Sequence, residues 1–260
     1  MQELLSRRVQ DGVIKRLIAK WLKAGVLEKG EVSYPEEGTP QGGVISPLLS
    51  NIYLHEVLDK WFVESVQPAC VGRTFMVRWA DDFVMGFERL EDVRKVQRVI
   101  EKRFARYGLK INTEKTRLVR FKRPPWGGRG SGDKPESFDF LGFTHYWGKS
   151  RKGHNVVMKK TAATRFRRAL RKIREWGWKH RHLPMVEQQR KLNEKLRGHD
   201  AYYGVTGNFR MLSQLRCEVA KLWRKWLVRR NRGNSPNWEK FNGMLRVFPL
   251  LPARIVHSRM

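Results

Sequence analysis

The run Phe75-Met-Val-Arg-Trp-Ala-Asp-Asp-Phe-Val-Met-Gly-Phe87 constrains the fold more than any other stretch of the chain. Two apolar, β-prone segments flank the adjacent carboxylates Asp81 and Asp82, a pattern that predicts an antiparallel hairpin with both charges at its tip. Wedged between Trp79-Ala80 and Phe83-Val84, two like charges repel each other and lose solvent. The pattern therefore asks for a compensating cation, and a hard divalent ion suits oxygen donors. A solvated acidic turn gives the same local pattern, so the rest of the chain has to decide between the two.

Charge is the next constraint. The 260 residues carry a formal net charge of +29, far beyond what solubility needs, which implies a polyanionic partner. The excess is uneven: residues 1–150 hold 26 Lys and Arg against 19 Asp and Glu, whereas residues 151–260 hold 28 against 6. Intrahelical ion pairs cannot absorb such a surplus in the second half. No run of about 18 apolar residues appears, and the N-terminus MQELLSRRVQDGV lacks the apolar segment of a signal peptide, so no membrane span and a cytoplasmic location are expected. Cys70 and Cys217 have neither CxxC spacing nor clustered histidines, which argues against a disulfide framework or a structural zinc site and leaves both expected as reduced and buried.

Apolar spacing predicts helices over about 13–24, 46–64 and 91–107, the second opened by Ser46 as a cap and Pro47 in the first turn. A loop rich in Gly, Glu and Pro is expected between the first two. Lys-Thr-Arg-Leu-Val-Arg-Phe121 reads as a strand, followed by a Gly- and Pro-rich loop to about Glu136. Residues 138–147 and 155–159 read as two strands joined by the turn Gly148–Gly153, and helices follow over about 162–176, 185–197, 209–230 and 236–245. The expected class is α+β: a mixed part over 1–160 and a basic helical part over 161–260.

Gly38-Thr-Pro-Gln-Gly-Gly-Val-Ile-Ser-Pro-Leu-Leu-Ser-Asn-Ile-Tyr-Leu54 places two side-chain-free residues just before a helix, where something must approach the backbone closely. Taken with RWADDF, then Gly108-Leu-Lys-Ile-Asn-Thr-Glu-Lys-Thr116, Phe138-Asp-Phe-Leu-Gly-Phe143 and Leu196-Arg-Gly-His-Asp-Ala-Tyr-Tyr-Gly-Val-Thr-Gly-Asn208, the chain resembles the reverse transcriptases encoded by group II introns, with five motifs in the family's order over nearly the whole length.

The resemblance implies a partial polymerase palm over 1–160 and a helical thumb, or maturase domain, over 161–260. It implies RNA-templated DNA synthesis with two Mg²⁺ ions, with deoxynucleoside triphosphates as substrates, an RNA template and DNA primer, and a structured intron RNA as partner. By the same likeness Asp81 is the principal metal-binding carboxylate and Asp82 its companion. Gln41, Gly42, Gly43 and Ala80 face the template and nucleotide. Lys115 lies near the incoming triphosphate, or else is a salt-bridged surface lysine. Phe138, Leu141 and Gly142 match the hairpin that grips the primer end, a role that a plain amphipathic strand also fits.

The helical part carries its own signal. Arg165-Phe-Arg-Arg-Ala-Leu-Arg-Lys-Ile-Arg174 and Lys221-Leu-Trp-Arg-Lys-Trp-Leu-Val-Arg-Arg230 alternate cations with apolar residues at helical spacing, so the apolar ones face a core and the cations face phosphate. Arg165, Arg168, Lys172, Arg197, Tyr202, Tyr203, Arg224 and Lys225 are the RNA-binding candidates. Trp176, Trp178, Tyr202 and Tyr203 suit either stacking on unpaired bases or core packing.

One element of the family pattern is unmatched. The first palm carboxylate lies on a strand well upstream of PQGG, and the acids upstream of Gln41 (Glu3, Asp11, Glu28, Glu31, Glu36, Glu37) stand in polar or helical settings. The chain therefore reads as lacking the fingers and first catalytic strand, with a missing N-terminal half as a further expected partner. Two unit charges 4 Å apart interact by ~4 kcal/mol at an effective dielectric of 20, and two dications by roughly four times that. Two aspartates offset this poorly, so weak polymerisation is expected of the chain by itself. The alternative is a non-catalytic RNA-binding maturase module, or the product of a split or decayed gene.

Overall fold

The computed structural model describes the chain except at positions 1, 8, 24–25, 29–30, 34–44, 126–134, 231–235 and 259–260. It is a mixed helix-and-strand structure that divides into two compact units, Met1–Arg117 and Leu118–Met260.

The first unit opens with α1 (Gln2–Ser6) and α2 (Gly12–Lys23). The Asp11 carboxylate starts α2 by accepting the backbone N–H groups of Val13 at 2.6 Å and Ile14 at 3.2 Å. Where a loop is expected, β1 (Val26–Glu28) and β2 (Glu31–Ser33) pair antiparallel. Next, α3 (Ser46–Leu54) runs through two π-helical stretches, His55–Asp59 and Phe62–Val66, into α4 (Gln67–Ala69). Ile45, not Ser46, holds the cap position, so Ser46 and Pro47 are both in the first turn. The helix outruns its expected end because Val57, Leu58, Phe62 and Val66 are all buried and keep it packed.

Strands β3 (Thr74–Trp79) and β4 (Asp82–Phe87) form the expected hairpin, and α5 (Leu90–Arg106) follows, ending at Tyr107 and Gly108 (φ +67°). The inner face of the hairpin, with Met76, Phe83 and Met85, packs on Val57, Leu58 and Phe104. Asp92, fully buried near the start of α5, accepts the N–H groups of Val71 and Gly72 at 3.2 and 2.9 Å and so ties the approach to β3 onto that helix.

The second unit holds a three-stranded antiparallel sheet, β5 (Phe138–Phe140), β6 (Phe143–Lys149) and β7 (Asn155–Thr161), and four helices: α6 (Ala163–Lys179), α7 (Met185–Tyr203), α8 (Phe209–Arg230) and α9 (Trp238–Val247). Residues 138–147 are thus two strands rather than one, because Leu141-Gly142 adopts a left-handed turn that pairs Phe140 with Phe143. The helical core gathers Phe166, Ile173, Leu192, Leu196, Leu215, Val219, Trp223, Leu227 and Phe241. Inside it, the Trp223 indole N–H donates to Gln188 Oε1 (2.9 Å), whose amide donates to the Leu183 carbonyl (2.7 Å).

Two further expectations fail. Residues 115–121 join no ladder; Phe121 is held instead by ring contacts with Phe138 and Trp147, at 5.1 and 5.4 Å, and its carbonyl accepts the Trp147 indole N–H. Cys217 is exposed and Cys70 only partly covered, both free thiols. Cys217 falls outside the helical series Leu212, Leu215, Val219, Trp223 that faces the core.

Candidate active site and nucleic-acid interface

The hairpin register fixes where each functional side chain goes. Trp79 pairs with Asp82 and Arg78 with Phe83, leaving Ala80 and Asp81 as a two-residue loop. Ala80 has φ +52°, a left-handed conformation that costs a non-glycine residue about 1–2 kcal/mol. Sequence logic expects apolar neighbours to desolvate the two aspartates, but both are exposed, as are the outer-face residues Phe75, Val77 and Trp79. Asp81 lies in the loop beyond the strand ends, and Asp82, opposite the exposed Trp79, shares the outer face, so Phe83 and Val84 do not cover them.

A guanidinium missed in the sequence organises this turn. Arg78 points inward and meets Asp59 in a bidentate pair, Nε to Oδ1 at 2.7 Å and Nη2 to Oδ2 at 2.6 Å. Its Nη1 donates to Asn51 Oδ1 at 2.9 Å and to the Ala80 carbonyl at 2.8 Å. Burial pushes the Asp59 carboxyl up, but the hydrogen bonds and charge of Arg78, with His55 adding to them, leave it below the usual carboxylate range. Only the alternation of strand residues, with Arg78 on the inner face, could have flagged it.

The oxygens of Asp81 and Asp82 are the hard donors that Mg²⁺ takes, and one or two carboxylates with water and substrate phosphate make up its common shell. The pair therefore fits one ion of a two-ion site. Among the described residues no group of three or more His, Cys, Asp or Glu assembles, so further protein donors are not found there. Lys115 is exposed, its backbone N–H donating to the Asn112 carbonyl and side chain at 3.2 and 3.1 Å in a tight turn. Gln41, Gly42 and Gly43 lie outside the described residues.

In the second unit, Leu141 (φ +50°) and Gly142 (φ +78°) make the β5–β6 turn. A Cβ on Gly142 would sit 2.9 Å from Tyr203 Oη, so both its conformation and its contact demand glycine. Tyr202 donates from its hydroxyl to the Leu141 carbonyl at 3.0 Å, and both tyrosine rings lie against Phe143, at 5.9 and 5.2 Å. Tyr203 also stacks on His199 at 4.6 Å, and burial raises its hydroxyl pKa. Phe138 stacks on His145 at 5.0 Å. Asn208, another residue missed, is fully buried: it accepts the Thr161 N–H (2.9 Å) and donates to Thr161 Oγ1 and the Tyr203 carbonyl (both 2.8 Å), joining the sheet to the α7–α8 corner.

The cations differ by helix. Of the seven on α6, Arg165, Arg168 and Lys172 among them, none forms an ion pair within the described residues, and the helix has a single acid, Glu175. On α7, Arg190 and Lys191 share Glu194, and on α8 Lys221 is held by Glu218. Arg197 is exposed. Arg224 lies 4.3 Å above the Trp238 ring and Lys225 5.8 Å from that of Trp226. Trp176 packs against the core and stacks on His180, whereas Trp178 is exposed with Arg181 over its face.

A carboxylate-tipped hairpin packed on helices thus precedes a basic helical region in the chain. The model of the family "Reverse transcriptase (RNA-dependent DNA polymerase)" matches residues 1–145 and that of the "Group II intron, maturase-specific domain" residues 166–242; the chain belongs to the group II intron reverse transcriptase/maturase family. It is 49% identical over 61 residues to the group II intron-encoded protein LtrA of Lactococcus lactis subsp. cremoris, covering 24% of this chain and 10% of that protein. It is 45% identical over 64 residues to an uncharacterized 91 kDa protein in the cob intron of Schizosaccharomyces pombe, covering 25% of this chain and 8% of that protein. To protein YkfC of Escherichia coli it is 33% identical, covering 45% of this chain and 38% of that protein. The chain thus spans well under half the length of these relatives. No helix among the described residues is long and apolar enough to cross a membrane.

Proposed function

We propose that this chain carries the catalytic hairpin and the RNA-holding thumb of an RNA-templated DNA polymerase that also binds its intron RNA. The reaction is in-line attack of a primer 3′-hydroxyl on the α-phosphate of a deoxynucleoside triphosphate, forming one phosphodiester bond as pyrophosphate leaves. Asp81 and Asp82 hold Mg²⁺ at the tip of the hairpin. When bound, the ion supplies activation of the hydroxyl and neutralisation of the charge that develops on the leaving group. Lys115 offers an ammonium to the departing pyrophosphate, Gln41, Gly42, Gly43 and Ala80 bear on the template and nucleotide, and Phe138, Leu141 and Gly142 seat the primer end. The unpaired cations of α6, together with Arg197, Lys225 and Arg224, track the RNA backbone.

The observation that carries this reading is the exposed Asp81–Asp82 pair on a fixed two-residue turn. A second reading, an RNA-binding module without chemistry, is favoured by the lack of a third metal-ligating side chain beside that pair among the described residues. RNA-templated primer extension separates the two. The 260-residue chain alone is expected to extend poorly, and adding the upstream palm and fingers segment of a group II intron relative should raise the rate at least a thousandfold, about 4 kcal/mol of barrier. No gain from that segment, with RNA still bound tightly, favours the non-catalytic module.

A further inference from the structure

Three features converge on one side chain. Ala80 is held in a conformation that an alanine does not choose. Its carbonyl accepts a hydrogen bond from Arg78, two residues before it. The same guanidinium is locked from behind by both Asp59 oxygens and by Asn51, all on the helix beneath the hairpin. A planar fork of five donors can make these contacts at once, and a lysine ammonium cannot. The arginine side chain is only 13% exposed, so its cost of burial is met by this ligation and not by water.

We propose that Arg78 is the positioning residue for Asp81: anchored by Asp59 and Asn51, it clasps the Ala80 carbonyl and holds the left-handed turn that presents the carboxylate to metal. This rests on Asp81 being a metal ligand, as argued under Proposed function. The Ala80 carbonyl belongs to the peptide whose nitrogen is that of Asp81, so turning this peptide swings the Asp81 Cα–Cβ direction with it. A misplacement of about 1 Å at a catalytic group lowers rates by roughly 10²-fold. Arg78 touches neither substrate nor metal in this scheme and acts only through the turn.

The test uses the full 260-residue chain and two readouts independent of polymerisation. Fe²⁺ with hydrogen peroxide as oxidant and ascorbate to re-reduce the iron, used as a probe for the divalent site, should cleave the backbone near residues 79–83, and hydrogen exchange should report the amides of the turn. Asp81→Ala should abolish the cleavage. Arg78→Lys and Asp59→Asn should each raise the Fe²⁺ concentration needed at least tenfold and speed exchange at residues 80–82 by a similar factor. Exchange at Met76 and Met85 should stay as in the wild type, which marks a local effect and not an unfolded hairpin. The double variant should be no worse than the more severe single one, because the two side chains act as one unit. If Asp81→Ala abolishes cleavage while Arg78→Lys keeps the wild-type Fe²⁺ dependence, the positioning role is overturned and the metal reading stands. If cleavage survives Asp81→Ala, the metal reading fails and Arg78 loses its role toward metal with it. Unchanged exchange at residues 80–82 in Arg78→Lys overturns the clasp itself.

Discussion

The two tight turns, Ala80-Asp81 in the first unit and Leu141-Gly142 in the second, use the same backbone device with opposite support. Each has a non-glycine residue at φ near +50°, and each has that residue's carbonyl held by one side-chain donor, Arg78 at 2.8 Å and Tyr202 at 3.0 Å. The first is secured by a charged pair, Arg78 with Asp59, while its carboxylates stay in water. The second is secured by aromatic packing, with Phe143, Tyr202 and Tyr203 in mutual contact. The lesson is that a turn meant to offer charge to solvent has to be fixed from behind by electrostatics, whereas one offering backbone can be fixed by stacking.

Among changes outside the hairpin, the largest effect should come from α6, its counterpart in this division of labour. Each phosphate contact contributes about 0.7–0.9 to the log–log salt slope. Replacing Arg165, Arg168 and Lys172 by glutamine should therefore weaken binding of structured RNA by about 10²-fold at 0.1 M salt and lower the slope by about 2–3. Titrations at several salt concentrations check this. An unchanged slope would move the RNA to another face.

Next in size, Asn208→Leu should destabilise the second unit by roughly 2 kcal/mol, since it strands the buried Thr161 N–H, while the Tyr203 carbonyl keeps the Val205 N–H at 2.8 Å. Thermal unfolding measures it. Loss of the Tyr202 hydroxyl is smaller: Tyr202→Phe should cost about 1 kcal/mol and raise the KM for primer more than it lowers kcat, because the ring packing remains. An effect on kcat alone would mean that the two turns are not independent.

The smallest expected effect is on pH dependence. Because the Asp59 carboxyl lies below its ordinary range when folded, its contribution to stability is fully present above that range and fades as pH falls through the depressed value. Asp59→Asn should flatten this acid limb in the unfolding profile. A profile identical to wild type would show that the ion pair contributes nothing to the hairpin.

Much of this was legible in the sequence because it is local. The hairpin follows from two apolar runs around an acidic pair, and the helices over 12–23, 90–106 and 209–230 follow from spacing and from their flanking residues. What escaped was long-range or conformational. Arg78 and Asp59 stand 19 positions apart, and Asn208 and Thr161 stand 47 apart, so no local pattern pairs them. The Leu141-Gly142 turn hid inside an apolar run, since only a left-handed leucine makes a corner there. The exposure of the aspartates was misjudged for a related reason: neighbours in sequence do not cover a side chain at the end of a two-residue loop.

The central claim is that the hairpin serves chemistry and the helical unit serves RNA holding. Asp81→Ala tests it most directly, with primer extension and RNA affinity measured on the same preparation supplemented with the upstream palm and fingers segment. Extension should fall at least a thousandfold while the Kd for RNA changes less than twofold. A parallel loss of both would make the hairpin a structural part of the RNA-binding fold and contradict the account.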